Sequence, residues 1–194
     1  MKYLINLLIL GAVGLLAYLL YYGINEPIKF KDELDARKNV VTTKLEQIRK
    51  CQEIYRDIKG EYASTFDSLA IVLNVDSIPT RQLVADPSDP DNPDKFITNI
   101  ILSSAKDSID AMGIVLSDLA YVPFTDKSKT FDMVADTTTY QQTLVPVVEV
   151  MTKWGDFMGE FSDPRFSMFQ KDYNPAARIG FGSLNSPNLE GNWK

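Results

Sequence analysis

The chain has 194 residues, 45% of them apolar, with ten Phe, a single Cys, no His and a formal net charge of −6. That composition excludes general disorder and an internal disulfide, and it removes the commonest general base and metal ligand. Residues 26 to 59 carry nine Lys/Arg against seven Asp/Glu, and residues 60 to 194 carry ten against nineteen. The distal part therefore repels phosphate backbones, and nucleic acid is not an expected partner.

Tyr3 to Tyr22 is an apolar run in which Asn6 is the one strongly polar side chain. Twenty residues at about 1.5 Å each make ~30 Å of helix, the thickness of a bilayer's hydrocarbon core. The run is longer than a signal-peptide core, and its Tyr18, Tyr21, Tyr22 end offers no small-residue cleavage site, so residues 1–23 are expected to be a retained transmembrane anchor. Gly11 and Gly14 lie close to one face and could let another helix approach, against the plainer reading of ordinary membrane-helix glycines. Lys29, Lys31, Arg37 and Lys38 after the run argue for a cytoplasmic domain by the positive-inside count. The two-residue leader argues for export. Export is the reading taken here, which puts the protein in a bacterial inner membrane, single-pass, with a periplasmic C-terminal domain.

Gly23, Asn25 and Pro27 are expected to interrupt the helix, with a stalk helix over residues 24–59 stopped by Gly60. Leu34, Val41, Ile48 and Tyr55 recur every seven residues, but Arg37 and Lys44 occupy the alternate seam of a coiled coil. Apolar density rises after Lys44. The pattern thus predicts that the second half docks on the chain's own domain, with Ile48, Tyr55, Ile58 and Phe66 in its core. Leu34 and Val41 are expected to stay clear of that domain and, with Gly11 and Gly14, to face another chain.

From Leu45 to Leu73 the chain reads LEQIRKCQEIYRDIKGEYASTFDSLAIVL. This stretch resembles the end of the long amino-terminal helix in type IV pilins and, more closely, in type II secretion pseudopilins. Tyr55, Gly60, Tyr62, Ser64 and Leu69 occupy the places of their Tyr, Gly, aromatic, turn and second-helix residues. The chain departs from those families in Ala63, where they often have Pro, and in showing no basic leader ending in Gly before Phe. The resemblance implies a pilin-like α+β fold, with an amphipathic helix packed on a small antiparallel sheet, and a structural role.

Residues 60–194 are expected to form one globular α+β domain. Ser64 or Thr65 caps a short helix with Phe66, Leu69, Val72 and Leu73. Arg81 to Val84 reads as a short extended piece, and Phe96 to Leu102 as an apolar stretch of open type. Between them, DPSDPDNPD over 86–94 is an acidic loop. Asp86, Asp89, Asp91 and Asp94 are weak calcium candidates, since calcium takes several oxygen ligands. The spacing lacks the Asp alternation and Gly of an EF-hand, and a solvated loop is the preferred reading.

Ser103 or Ser104 opens a further helix, and Leu119 to Phe124 reads as a strand. Two strands over 130–139 and 144–151 form a hairpin, with Pro146 arguing for an edge or a strand boundary. Trp154 to Phe169 is a packed aromatic loop with one helical turn, and Arg178 to Leu184 a last strand with GFGS as its bent end. No phosphate-loop, nucleophile-elbow or paired-Cys motif occurs, and Asp107 with Asp110 suits a solvated helix face. The expected protein is non-catalytic and without a cofactor. It is a pilin-like structural subunit or, alternatively, a bitopic accessory subunit of a larger membrane complex. Membrane lipid and other subunits, or copies of itself, are its expected partners.

Overall fold

A computed structural model describes residues 1–85 and 96–193, so the acidic run 86–94 with its calcium candidates Asp86, Asp89, Asp91 and Asp94 lies outside the described residues. The fold is α+β: one long amino-terminal helix with small antiparallel sheets. α1 runs without a break from Lys2 to Lys59, a rod of about 87 Å. The expected interruption near Gly23 to Pro27 does not occur. Pro27 lies inside the helix, and the local cost is the hydrogen bond that its missing N–H cannot give to the Gly23 carbonyl. At the far end Gly60 adopts the left-handed conformation (φ 80°), and its N–H closes on the Arg56 carbonyl at 2.7 Å.

α2 (Phe66–Val75) follows, its Thr65 hydroxyl accepting from the Ser68 N–H. The turn between α1 and α2 is held by Gln52, which is fully buried. Its Nε2 donates to the Ala63 carbonyl and its Oε1 accepts from the Ala63 N–H, each at 2.9 Å. One side chain thus stands in for a strand partner at a place where the chain reverses.

β1 (Ser77–Ala85) and β2 (Phe96–Ser104) form a two-stranded antiparallel arm, with Ser77 opposite Ser104 and Ala85 opposite Phe96. α3 (Ala105–Ala111) begins at Ser104, whose hydroxyl accepts from the Asp107 N–H. The segment Leu119 to Phe124 is not a strand. Its single bridge, Tyr121 to Thr130, closes a loop in which Phe124, Asp126 and Lys127 all take positive φ. A strand cannot pass through such residues, and Pro123 removes a donor.

The second sheet has the order β3-β4-β5, from β3 (Asp132–Tyr140), β4 (Thr143–Lys153) and β5 (Arg178–Gly182). β4 is central, yet β5 covers only Glu149 to Lys153, so Pro146 pairs on one side alone, with Thr137. A proline in a nominally central strand is thereby tolerated. Gly180 and Gly182 are required by close approach, since a Cβ on either would collide with the carbonyl of Val150 or Val148. Asn192 accepts from the Gly180 N–H and donates to the Arg178 carbonyl, both at 3.0 Å, which covers the outer edge of β5.

One hydrophobic core joins these parts. Phe30, Leu34, Val41, Leu45, Ile48 and Tyr55 of α1 share it with Leu69, Leu73, Val148, Val150, Ile179 and Phe181. The packing does not divide at the boundary between residues 59 and 60. Ile48 and Tyr55 are buried, as expected, while Ile58 and Phe66 are partly buried against the same cluster.

Candidate membrane-junction and partner surfaces

The amino-terminal part of α1 contributes nothing to that core. The described side chains from Tyr3 to Ile24 are all exposed, and the helix is long and apolar enough to cross a membrane. Nothing lies within 4 Å of a Cβ placed on Gly11 or Gly14. Both are free of their own chain, and nothing in the fold assigns them a partner.

The expected partner-facing residues Leu34 and Val41 are corrected by the structure. Both are buried in the chain's own core, so neither can meet a second chain. Docking starts a full helical segment earlier than expected because Phe30, flanked by Lys29 and Lys31, is the centre of an aromatic cluster. Its ring stacks on Phe166 at 5.2 Å and meets Tyr173 edge-on at 5.0 Å, with Phe161 and Phe169 at 5.9 and 6.2 Å. The partners come from the two 3₁₀ turns (Gly159–Ser162 and Pro164–Met168) that follow α4 (Trp154–Met158) and from the loop beyond. Arg37 fixes the same junction. It donates to the Phe157 carbonyl at 2.8 Å, pairs with Glu33 at 2.8 Å and lies over the Phe124 ring. Lower still, Arg165 pairs with Glu26 at 3.2 Å.

Tyr22, Asn25, Glu26 and Lys29 on the helix face Glu160, Phe161, Arg165 and Phe166 on the domain across a cleft of about 260 Å³. The cleft spans the level at which the apolar run gives way to the charged half. It joins a carboxylate and a cation from each side: Glu26 and Lys29 from α1, Glu160 and Arg165 from the domain.

Farther along α1 the titratable groups read as structural. Burial pushes the Cys51 thiol up to about 12, which makes it an inert core residue rather than a nucleophile. Burial also lowers Lys44, against the opposing pull of Asp118. A hydrogen bond from Lys127 holds Asp118 below the ordinary carboxylate range. Asp107 and Asp110 are exposed on α3. Among the described residues no group of three or more Cys, Asp or Glu is placed to hold a metal ion.

The β1–β2 arm carries the other unusual surface. On one face of β2, Phe96, Ile100 and Leu102 alternate and are 58%, 64% and 68% exposed. Among the described residues neither strand of the arm has a second strand beside it. An apolar face on a two-stranded arm is more than scattered surface hydrophobicity.

No family model, no curated protein and no solved structure matches the chain. Sequence reasoning missed Phe30. The one signal for it was the aromatic run from Trp154 to Phe169, which needed an apolar partner; the residues around Phe30 themselves set no period.

Proposed function

We propose that the protein is a membrane-anchored, pilin-like structural subunit of a bacterial envelope filament or secretion-type assembly. Residues 3 to 22 hold it in the inner membrane and the head lies in the periplasm. The observation that carries this reading is a single unbroken helix of two characters. Its first twenty-odd residues are apolar and without an internal partner, and its remainder is built into the core of the head.

A subunit of this shape transmits position from membrane to head without a hinge. Because Leu34 and Val41 belong to the head's core, contacts between copies fall to the apolar half, where Gly11 and Gly14 sit on the partner-free surface. No catalytic step is part of this reading. Chemical crosslinking in native membranes, followed by gentle solubilisation, tests it: a ladder of multiples of the one chain is expected. Alkaline phosphatase fused after the head should be active, and an active cytoplasmic reporter in its place would overturn the periplasmic assignment.

The exposed face of the β1–β2 arm favours a second reading, a bitopic accessory subunit that binds a different protein. A fixed set of other chains co-purifying with it, without the self-ladder, would select that reading.

A further inference from the structure

We infer that the base of the head is seated in the headgroup layer of the membrane crossed by α1, and that the junction cleft receives the headgroup of a zwitterionic phospholipid. This rests on the reading of residues 3 to 22 as the membrane span. Tyr22 ends the apolar run, and Glu26 lies four residues, or about 6 Å, farther along the axis. The headgroup region on each side of a bilayer is roughly 5–8 Å thick. The Arg165–Glu26 pair, at 3.2 Å, therefore falls inside that layer and not above it.

The head cannot lift away by bending at this point. α1 is helical through Pro27, Phe30 is clamped by four aromatic rings, and Arg37 is bonded to the Phe157 carbonyl. The cleft between helix and head contains Tyr22 itself, so it opens at the boundary between hydrocarbon and headgroups. Its charges come in both signs. Glu26 and Arg165 already pair with each other across the cleft, Lys29 adds a cation for a phosphate and Glu160 a carboxylate for an ammonium group, and the Tyr22 hydroxyl and Asn25 amide add neutral polar contacts. A headgroup with a phosphate and an ammonium group meets that pattern, whereas a purely anionic one leaves the two carboxylates opposed to it.

Fluorescence quenching on the full chain in lipid nanodiscs tests the proposal. Three variants with one introduced cysteine each, Met168→Cys at the base of the head but outside the cleft lining, Leu144→Cys and Leu10→Cys, are labelled with a thiol-reactive fluorophore. Cys51 is buried and stays protonated, so the label goes to the introduced thiol. Leu144 precedes Val145 and Pro146, which lie beside Arg56, about 45 Å along α1 from Glu26. Phosphatidylcholine carrying a nitroxide on its headgroup should quench the Met168→Cys label several-fold more than the Leu144→Cys label. Exchanging the unlabelled phosphatidylcholine for phosphatidylglycerol should leave that ratio unchanged.

Equal quenching at the two head positions would overturn the seating, provided acyl-chain nitroxides still quench Leu10→Cys. Failure at Leu10→Cys as well would overturn the membrane span beneath it. A several-fold loss of Met168→Cys quenching in phosphatidylglycerol would replace the zwitterionic assignment with an anion site.

Discussion

The two halves of α1 share one backbone and differ in everything their side chains meet. From Tyr3 to Ile24 the described side chains are exposed. From Phe30 to Tyr55 the positions Phe30, Leu34, Val41, Leu45, Ile48, Gln52 and Tyr55 are buried. The amino-terminal half is apolar all round, a character that suits a lipid surrounding, and the second half is apolar along one stripe. The comparison teaches that the junction, and not the length of the rod, decides how the head is attached to α1. A head docked only after Lys44 would hang on a free stalk. A head docked from Glu26 upward has no stalk at all.

The sharpest way to break that comparison is to remove the junction's centre. Phe30→Ala should cost about 3–5 kcal/mol of head stability, the usual range for a buried Phe, because four rings lose their common partner. Denaturant unfolding of the full chain in detergent, followed by tryptophan fluorescence, measures it. A loss below 1 kcal/mol would mean that the head is held from Val41 upward and that the lower contacts are incidental.

Gln52→Leu comes next. Each buried backbone group left without a partner costs roughly 1–3 kcal/mol, and this change strands both the N–H and the carbonyl of Ala63. A loss on the order of 3 kcal/mol is expected, and Gln52→Glu should restore less than half of it, since a carboxylate cannot donate to the carbonyl. Full rescue by Glu would show that the amide's donor side contributes nothing.

A smaller effect lies in the pH dependence. Burial raises the Cys51 thiol in the folded chain from 9.0 to about 12. The folded state therefore keeps a proton that the unfolded chain gives up, and the associated stability is present below pH 9 and lost as pH rises from 9 towards 12. Tyr173, raised by burial, acts in the same direction, while Lys44, lowered by burial, acts against both. The difference between the wild type and Cys51→Ala isolates the thiol. The variant should be less stable at pH 8 and should lose less between pH 9 and 11. Parallel curves would place Cys51 in contact with water.

Much of the docked half was legible, because burial on one face leaves a period. Ile48 and Tyr55 marked the buried stripe, Gly60 its end and Thr65 the next beginning, whereas Leu34 and Val41, on the same seven-residue repeat, were expected to face a partner and are buried instead. The lower limit of docking was not legible, because Phe30 stands alone among Lys29, Lys31 and Asp32 and a single aromatic sets no period. Pro27 misled for a related reason. It costs one hydrogen bond, and a helix fixed on both sides bears that cost without breaking. Of the β1–β2 arm only the extended piece Arg81 to Val84 was legible, while Phe96 to Leu102 stayed of open type, because the described side chains from Thr98 to Ser103 are exposed on both faces and show no alternation of burial. The junction cleft was invisible for another reason, since Glu26 and Arg165 are 139 residues apart and meet only through the aromatic cluster.

The smallest expected effect completes the comparison from the other half of the helix. Leu15→Ala with Leu16→Ala removes as much apolar volume as two core truncations, and in the docked half the same chemistry would cost several kcal/mol. In the apolar half both side chains are more than half exposed and touch no part of the head. Trp154 and Trp193, the two tryptophans of the chain, both lie in the head, so their fluorescence follows head unfolding alone. The unfolding midpoint should therefore shift by no more than about 0.5 kcal/mol, the range of substitutions that break no packing. If residues 3 to 22 span a membrane as proposed, the consequence should appear elsewhere, as easier extraction from membranes, because each buried methylene withdrawn from lipid forfeits about 0.8 kcal/mol. A shift in head stability above 1 kcal/mol would show that the apolar half folds back on the head, and the two halves of α1 could then no longer be treated as separate environments.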